Sequence, residues 1–453
     1  MIFQRKIYEK MLAWKMESDG RTALLVEGAR RVGKSTVVED FAKREYESHL
    51  IIDFSMASPE IRELFRDISD LDYLFLRLQL AYHAELPARK SVIIFDEVQL
   101  CPQARQAIKH LVKDRRYDYI ETGSLISIRR NVKDILIPSE ERKLQMFPMD
   151  YEEFCWAIGD TATPSLLQQT AKLGKPLGNA VHRKLMRQFR LYMLIGGMPQ
   201  AIAAYLESKN FRAVDSVKRD ILSLYMEDFR KVDPTGRASL LFEAVPAQLN
   251  GNASRYQVSS VLKNKRANSI LSLLSEMQDS KTILLSYHAN GPGAGLSAQR
   301  DLARFKIFLA DTGLFVTLMF RDRDFTENLV YEKLLSDKME ANLGYLYENI
   351  VAQMLAANGH SLYYHTFLNE KSRHNYEIDF LLADGNKICP IEVKSSRYKS
   401  HPSLDAFSSK YSGRISNRCL IHTKDLGKDT DILLLPVYLV PFVFRGIRYS
   451  VPL

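Results

Sequence analysis

Apolar positions change their rhythm three times along this chain. Near the amino terminus they come in short runs, ALLV at residues 23–26, VIIF at 92–95 and YDYI at 117–120, the pattern of buried strands in a parallel sheet. Residues 36–46, after the first run, fit a helix. Across 156–250 the pattern is mostly helical, with Leu, Met, Phe and Tyr at helical spacing in 182–192 and 212–229, and these stripes read as core. Between 236 and 317 the pattern predicts a helix over 239–250, a polar turn and a basic helical stretch over 261–277. A strand at 282–288, a glycine-rich tip at 290–295 and a returning strand at 305–310 follow. The last 120 or so residues return to strands, YEIDFLLA at 376–383 and KICPIEVKSS at 387–396, joined through the hairpin signal Asp384-Gly385. Single cores rarely exceed ~250 residues, so 453 residues are expected to form several domains. The pattern shifts put them at 1–155, 156–235, 236–325 and 326–453.

Composition narrows the class. At 46% hydrophobic and 26% charged residues this is an ordinary soluble protein. No apolar run approaches the ~20 residues of a membrane span. The first twenty residues read as an amphipathic helix without the apolar core of a secretory signal. Cys101, Cys155, Cys389 and Cys419 lack C-x-x-C spacing, which argues against a zinc site or a disulfide framework. A cytoplasmic, reduced setting is expected, with no membrane partner. The net charge of +9 is uneven: residues 251–310 hold eight Lys/Arg against three acids, a footprint that suits a polyanion.

The strongest chemical signal is GARRVGKST at 28–36, which fits G-x-x-x-x-G-K-[ST] between a strand and a helix. Gly28, Arg31, Gly33, Lys34, Ser35 and Thr36 form the expected nucleotide-binding loop. Its backbone N–H groups hold phosphates, Lys34 reaches the β/γ oxygens and Ser35 ligates Mg²⁺. About sixty residues on, SVIIFDE at 91–97 places two acids at the carboxyl tip of a buried strand, where ligands sit in open α/β sheets. Asp96 suits Mg²⁺ and Glu97 suits polarising the attacking water. The next strand runs into Glu121-Thr122-Gly123-Ser124. Thr122 and Ser124 are both candidates for sensing the γ-phosphate, and the sequence does not choose between them.

Taken together, EGARRVGKST, VIIFDEVQ, ETGSL and the FPMDYEEF run at 147–154 resemble a group of prokaryotic AAA-type ATPases. YMLIGGMP at 192–199 is similar to that family's Y-L-x-x-G-G-x-P, and KIFLADTGL at 306–314 to its K-x-Y-F-x-D-T-G-L. The resemblance implies a P-loop AAA-type three-layer α/β ATPase with a helical lid. Pro199 would then be a nucleotide contact from the lid, as in related signal-transducing and replication-origin ATPases. Asp311 is read as structural. At Glu141-Arg142 the chain departs from the family's Gly-Arg; Arg142 is still a candidate charge-stabilising finger, in cis or from a neighbouring subunit, which keeps a homo-oligomer open.

Helix, basic helix and hairpin is the order of a winged helix, with Lys263, Lys265 and Arg266 toward a nucleic-acid backbone. In the final segment Glu392 and Lys394, two apart on one strand, share a face, and the hairpin brings Asp379 near them. Two carboxylates and a lysine suit Mg²⁺ or Mn²⁺ and a water to be activated. The set resembles the PD-(D/E)xK nuclease fold, which implies a restriction-endonuclease-like α/β domain. Glu348 stands in the order of that fold's helix glutamate, while Glu370 and Glu377 are expected to face solvent. The expected function is therefore an ATP- and Mg²⁺-dependent hydrolase governing a DNA-associated, nuclease-like module with a second Mg²⁺ or Mn²⁺. The alternative is a non-cutting signal-transducing switch or scaffold with a protein partner.

Overall fold

The computed structural model describes residues 1–123, 139–251, 254–263, 265–322, 328–336, 344–370, 372, 374–396 and 398–445. The chain divides into two compact units, Met1–Phe147 and Pro148–Leu453. No helix among the described residues is long and apolar enough to cross a membrane.

Unit 1 runs α1 (Ile7–Ser18), β1 (Ala23–Gly28), α2 (Lys34–Glu45), β2 (Ser48–Asp53), α3 (Pro59–Glu63) and α4 (Leu71–Tyr82). It continues through β3 (Ser91–Asp96), α5 (Pro102–Asp114), β4 (Asp118–Gly123) and β5 (Glu141–Met146). Its five strands make one parallel sheet in the order β2-β3-β4-β1-β5. All residues of β1 and β4 are buried, as central strands covered on both faces must be. Edge strand β5 leaves Arg142 and Lys143 exposed. Because β4 lies between β1 and β3, its last residues fall between the loop that follows β1 and the acids that end β3. The mixed α/β fold expected of this segment is the one observed.

Unit 2 begins with helices α6 (Tyr151–Ala157), α7 (Ala162–Leu173), α8 (Asn179–Ile195), α9 (Pro199–Ser208) and α10 (Phe211–Val232). A capping box starts α6: Asp150 Oδ1 accepts from Glu153 N at 2.9 Å and Glu153 Oε2 accepts from Asp150 N at 3.1 Å. Shorter helices α11 (Arg237–Glu243), α12 (Val245–Asn250), α13 (Val258–Val261) and α14 (Leu271–Asp279) come next. Two of the expected helices are therefore divided. The first breaks at Ala244 ahead of Pro246, which has no N–H to donate. In the second, the polar stretch before α14 bonds to itself, Ser269 Oγ donating to Arg266 O at 2.8 Å; such local bonds compete with the helix. Lys263, Lys265 and Arg266 are exposed but precede α14 rather than riding on it.

Hairpin β6 (Ile283–Ala289) and β7 (Arg300–Leu309) is antiparallel. Helices α15 (Thr312–Met319), α16 (Asn328–Ser336) and α17 (Gly344–Ala357) lead to β8 (Leu362–Phe367), β9 (Tyr376–Ile378), β10 (Phe380–Asp384) and β11 (Lys387–Lys394). The chain closes with α18 (Pro402–Tyr411), β12 (Arg418–His422), β13 (Gly427–Asp429), β14 (Ile432–Pro436) and α19 (Val440–Val443). The hairpin is no free-standing wing: β6 pairs in parallel with β8, giving a sheet ordered β7-β6-β8-β9 across the expected border at 325. Its tip is held too, since Arg414 Nη1 donates to Pro292 O at 3.1 Å. A second sheet runs β10-β11-β12-β14-β13, parallel across β11, β12 and β14. All four cysteines are buried and unbridged.

Two sequence-distant glycine motifs meet inside unit 2. Asp311, 2% exposed, accepts from Gly197 N at 2.6 Å and, as N-cap of α15, from Leu314 N at 2.8 Å. A Cβ on Gly197 would lie 2.1 Å from Met149 O, so only glycine allows this approach. Beside it the buried Lys218 ammonium donates to Leu194 O, Gly313 O and Tyr331 Oη at 2.8, 3.1 and 2.9 Å. Burial pulls Lys218 down to about 8, against the pull of Asp215 and Asp311.

Two buried histidines make this unit acid-sensitive. His365 Nδ1 donates to Ala289 O at 2.7 Å, and His422 Nδ1 accepts from Lys424 N at 2.9 Å while its ring stacks on Tyr398. Burial pushes both imidazoles down to about 4. Unfolded histidine titrates near 6.5, so this stabilisation is complete above about pH 6.5 and is lost as pH falls toward 4. Going from pH 7 to 5 should cost about 2 kcal/mol per histidine. Urea melts followed by Trp156 fluorescence check this; equal stability at the two pH values would contradict it.

Candidate functional site

The loop after β1 folds back on itself. Lys34 Nζ donates to Gly28 O and Ala29 O at 3.1 and 3.0 Å, and Gly33, at φ +95°, opens α2. Burial lowers the Lys34 ammonium below its usual range, opposed by Glu97 and Asp96. Ser35 and Thr36 are exposed on the first turn of α2, where free N–H groups attract anions. Arg31 is exposed in the left-handed region at φ 69°.

Beside the loop, Asp96 gathers two hydroxyls. Ser35 Oγ donates to its Oδ1 at 2.8 Å, and Thr122 Oγ1 donates to the same oxygen. Glu97 turns off β3 at φ 52°, half-buried, its N–H donating to Thr122 Oγ1 at 3.4 Å and its Oε2 accepting from Gln99 Nε2. The set Ser35, Asp96 and Glu97 expected from sequence is therefore brought together. Of the two sensor candidates, Thr122 joins it, while Ser124 lies outside the described residues. Hydroxyl and carboxylate oxygens converging at a helix N-terminus are the donor chemistry that Mg²⁺ takes. Ser35 and Asp96 would hold the ion, and it would supply charge neutralisation for the phosphates.

Two arginines change the expected picture. Arg142 does not reach this edge. It pairs in register with Leu24, near the amino end of β1, whereas Gly28 pairs with Met146. Four residues of strand separate the two positions, about 13 Å, and Arg142 Nη1 instead donates to Glu17 Oε2 at 2.5 Å. A finger in cis is excluded by that placement. Arg5, which belongs to no motif, braces the loop: its Nη1 donates to Val32 O at 2.8 Å and its Nη2 to Phe147 O at 2.6 Å. Arg5→Met should weaken ATP binding roughly 10-fold by loosening the loop. A nucleotide titration checks it, and unchanged affinity would make Arg5 irrelevant to the loop.

In unit 2, Pro199 is the first residue of α9. Asp379, 9% exposed, follows β9, and its Oδ2 accepts from Val393 N at 2.7 Å. Glu392 Oε1 lies 3.1 Å from Lys394 Nζ. Glu348 on α17 pairs elsewhere: it lies 3.3 Å from Lys306 Nζ, and Glu377, expected in solvent, lies 2.5 Å from the same ammonium. Glu370 is exposed. Burial raises the carboxyls of Asp379, Glu348 and Glu392 above their usual range, and neighbouring carboxylates add to this. For Lys306, Glu348, Glu377 and Asp379 outweigh burial and hold the ammonium charged. Lys306 had counted toward the basic window; buried and paired, it offers nothing to a polyanion. Among the described residues no three His, Cys, Asp or Glu are grouped to hold a metal ion.

Comparison with known proteins finds three family matches along the chain. Residues 20–155 match a family described as an AAA domain, residues 186–324 a domain of unknown function (DUF8612), and residues 343–440 a second domain of unknown function (DUF4143). No curated protein matches. Among solved structures, the chain is similar to the Walker-type ATPase PABY2304 of Pyrococcus abyssi, at 16% identity and TM-score 0.42 over 70% of this chain and 96% of that one. It is also similar to the ORC1 protein of Aeropyrum pernix in complex with DNA, at 11% identity and TM-score 0.28 over 74% and 93%. A third is the RuvB Holliday junction branch migration motor of Thermotoga maritima, at 11% identity and TM-score 0.28 over 60% and 82%. The amino-terminal domain is thus an AAA-type P-loop ATPase domain.

Proposed function

We propose, from an AAA-type P-loop domain at residues 20–155, that this chain hydrolyses ATP with Mg²⁺ and couples its nucleotide state to a DNA-associated unit 2. The observation that carries the reading is Asp96 receiving the Ser35 and Thr122 hydroxyls with Glu97 adjoining. Lys34 binds the β/γ oxygens, Ser35 and Asp96 position the ion, and Glu97 takes a proton from the attacking water. Pro199 serves as a nucleotide contact, as the resemblance to related ATPases implies. Arg142, if it acts as a finger, does so from a neighbouring copy. Phosphate release that requires Mg²⁺ and ends on its chelation tests this, and metal-independent release would sink it.

For unit 2 the support is chemical. Arg255, Lys263, Lys265, Arg266 and Arg300 are exposed around a helix–helix–hairpin segment, a surface suited to phosphates. Asp379, Glu392 and Lys394 share a hairpin as in the PD-(D/E)xK fold, with Glu348 on the preceding helix. Labelled linear, circular and branched DNA with Mg²⁺ or Mn²⁺, with and without ATP, tests cutting. Cleavage that Asp379→Ala and Lys394→Ala both abolish would establish it. The second reading, a non-cutting switch with a protein partner, draws support from carboxylates whose oxygens are already engaged by Lys306, Val393 N and Lys394.

A further inference from the structure

The donor chemistry and the donor placement in the unit 2 cluster disagree. Four carboxylates, from Glu348, Glu377, Asp379 and Glu392, lie with two lysines, yet no three among the described residues are grouped to hold a metal ion. Each carboxylate already has an oxygen engaged: Glu348 and Glu377 by Lys306, Asp379 by Val393 N, and Glu392 by Lys394. Glu392 Oε2 is buried without a hydrogen-bond partner. A hard divalent cation needs several such oxygens turned on one point.

We propose that the Lys306 ammonium is the resident cation of this cluster and keeps divalent metal out of it. The proposal rests on the nuclease-like reading of Asp379 and Glu392 and assigns what governs that site. Lys306 comes from the middle of β7, its side chain 6% exposed, and joins α17 to β9 through Glu348 and Glu377. Its ammonium also sits 5.5 Å from the Tyr364 ring centroid, an added attraction for a cation. A cation tethered in place competes like a high local concentration of ion, and it engages one oxygen of each of the two glutamates. Removing that charge frees both glutamates, and with Asp379 and Glu392 they make an all-oxygen site for Mg²⁺ or Mn²⁺.

Mn²⁺ titration followed by electron paramagnetic resonance tests this on the nucleotide-free full chain. An Asp96→Asn background silences the loop site. The parent should take up no saturable Mn²⁺ below about 1 mM. Adding Lys306→Met should create one site per chain, at least roughly 10-fold tighter, which Asp379→Asn then removes. Lys306→Arg should behave like the parent. Lys306→Met with Glu377→Gln removes one charge of each sign, so a gain of metal there separates the effect from misfolding. Tight Mn²⁺ in the parent that Asp379→Asn abolishes would overturn the proposal, as would folded Lys306→Met chains that bind none. Metal uptake by Lys306→Met without DNA cleavage would keep the proposal and reject cutting; wild-type cleavage that needs Asp379 would do the reverse.

Discussion

Glu97→Gln is expected to leave ATP binding within about threefold of wild type and to slow its hydrolysis at least roughly 100-fold, since a positioned general base contributes ~10²–10⁴. Glutamine keeps the shape and still accepts from Gln99 Nε2, so the fold has no reason to change. What it loses is the carboxylate that takes the proton. Lys34→Ala should behave differently. The lysine covers the loop it binds, so its removal should abolish tight nucleotide binding itself, read by fluorescent-nucleotide titration. Hydrolysis in Glu97→Gln at the wild-type rate would remove Glu97 from the mechanism and point to another group beside Asp96.

The second large effect concerns stability. Asp311→Ala strands two buried N–H groups, Gly197 and Leu314, and removes a negative charge near buried Lys218. Each stranded amide costs ~1–3 kcal/mol and an uncompensated buried charge adds more, so about 3–5 kcal/mol should be lost from unit 2. Trp156 lies in that unit, and its fluorescence in urea reports the loss. Asp311→Asn should recover part of it, because one amide oxygen still accepts. A loss below about 1 kcal/mol would mean that the two glycine motifs are held together by packing alone.

Asp311 also shows what sequence could and could not give. The phosphate loop and the acids of β3 were legible because their chemistry is local: a few consecutive residues set the turn, the helix start and the donors. Asp311 could be recognised as structural, but not what it holds, since Gly197 lies 114 residues away. Arg5 reaches Val32 across 27 residues and Lys306 reaches Glu348 across 42, separations on which periodicity is silent. Lys306 falls in the basic window of 251–310, and no local signal there marks it as buried. The long basic helix failed on a different ground: apolar spacing in 261–277 is helical, but the polar residues before α14 satisfy their own backbone. Pairing of β6 with β8 was likewise invisible, because parallel partners carry no turn signal between them.

The coupling of the two units is tested most directly by ATP hydrolysis measured with and without DNA at fixed salt. It should be run for wild type and for a chain carrying Lys263→Ala, Lys265→Ala and Arg266→Ala. DNA is expected to change the wild-type rate severalfold, and the triple variant should keep the basal rate while losing that response. Hydrolysis indifferent to DNA in wild type, or an undiminished response in the triple variant, would contradict the coupling through this surface.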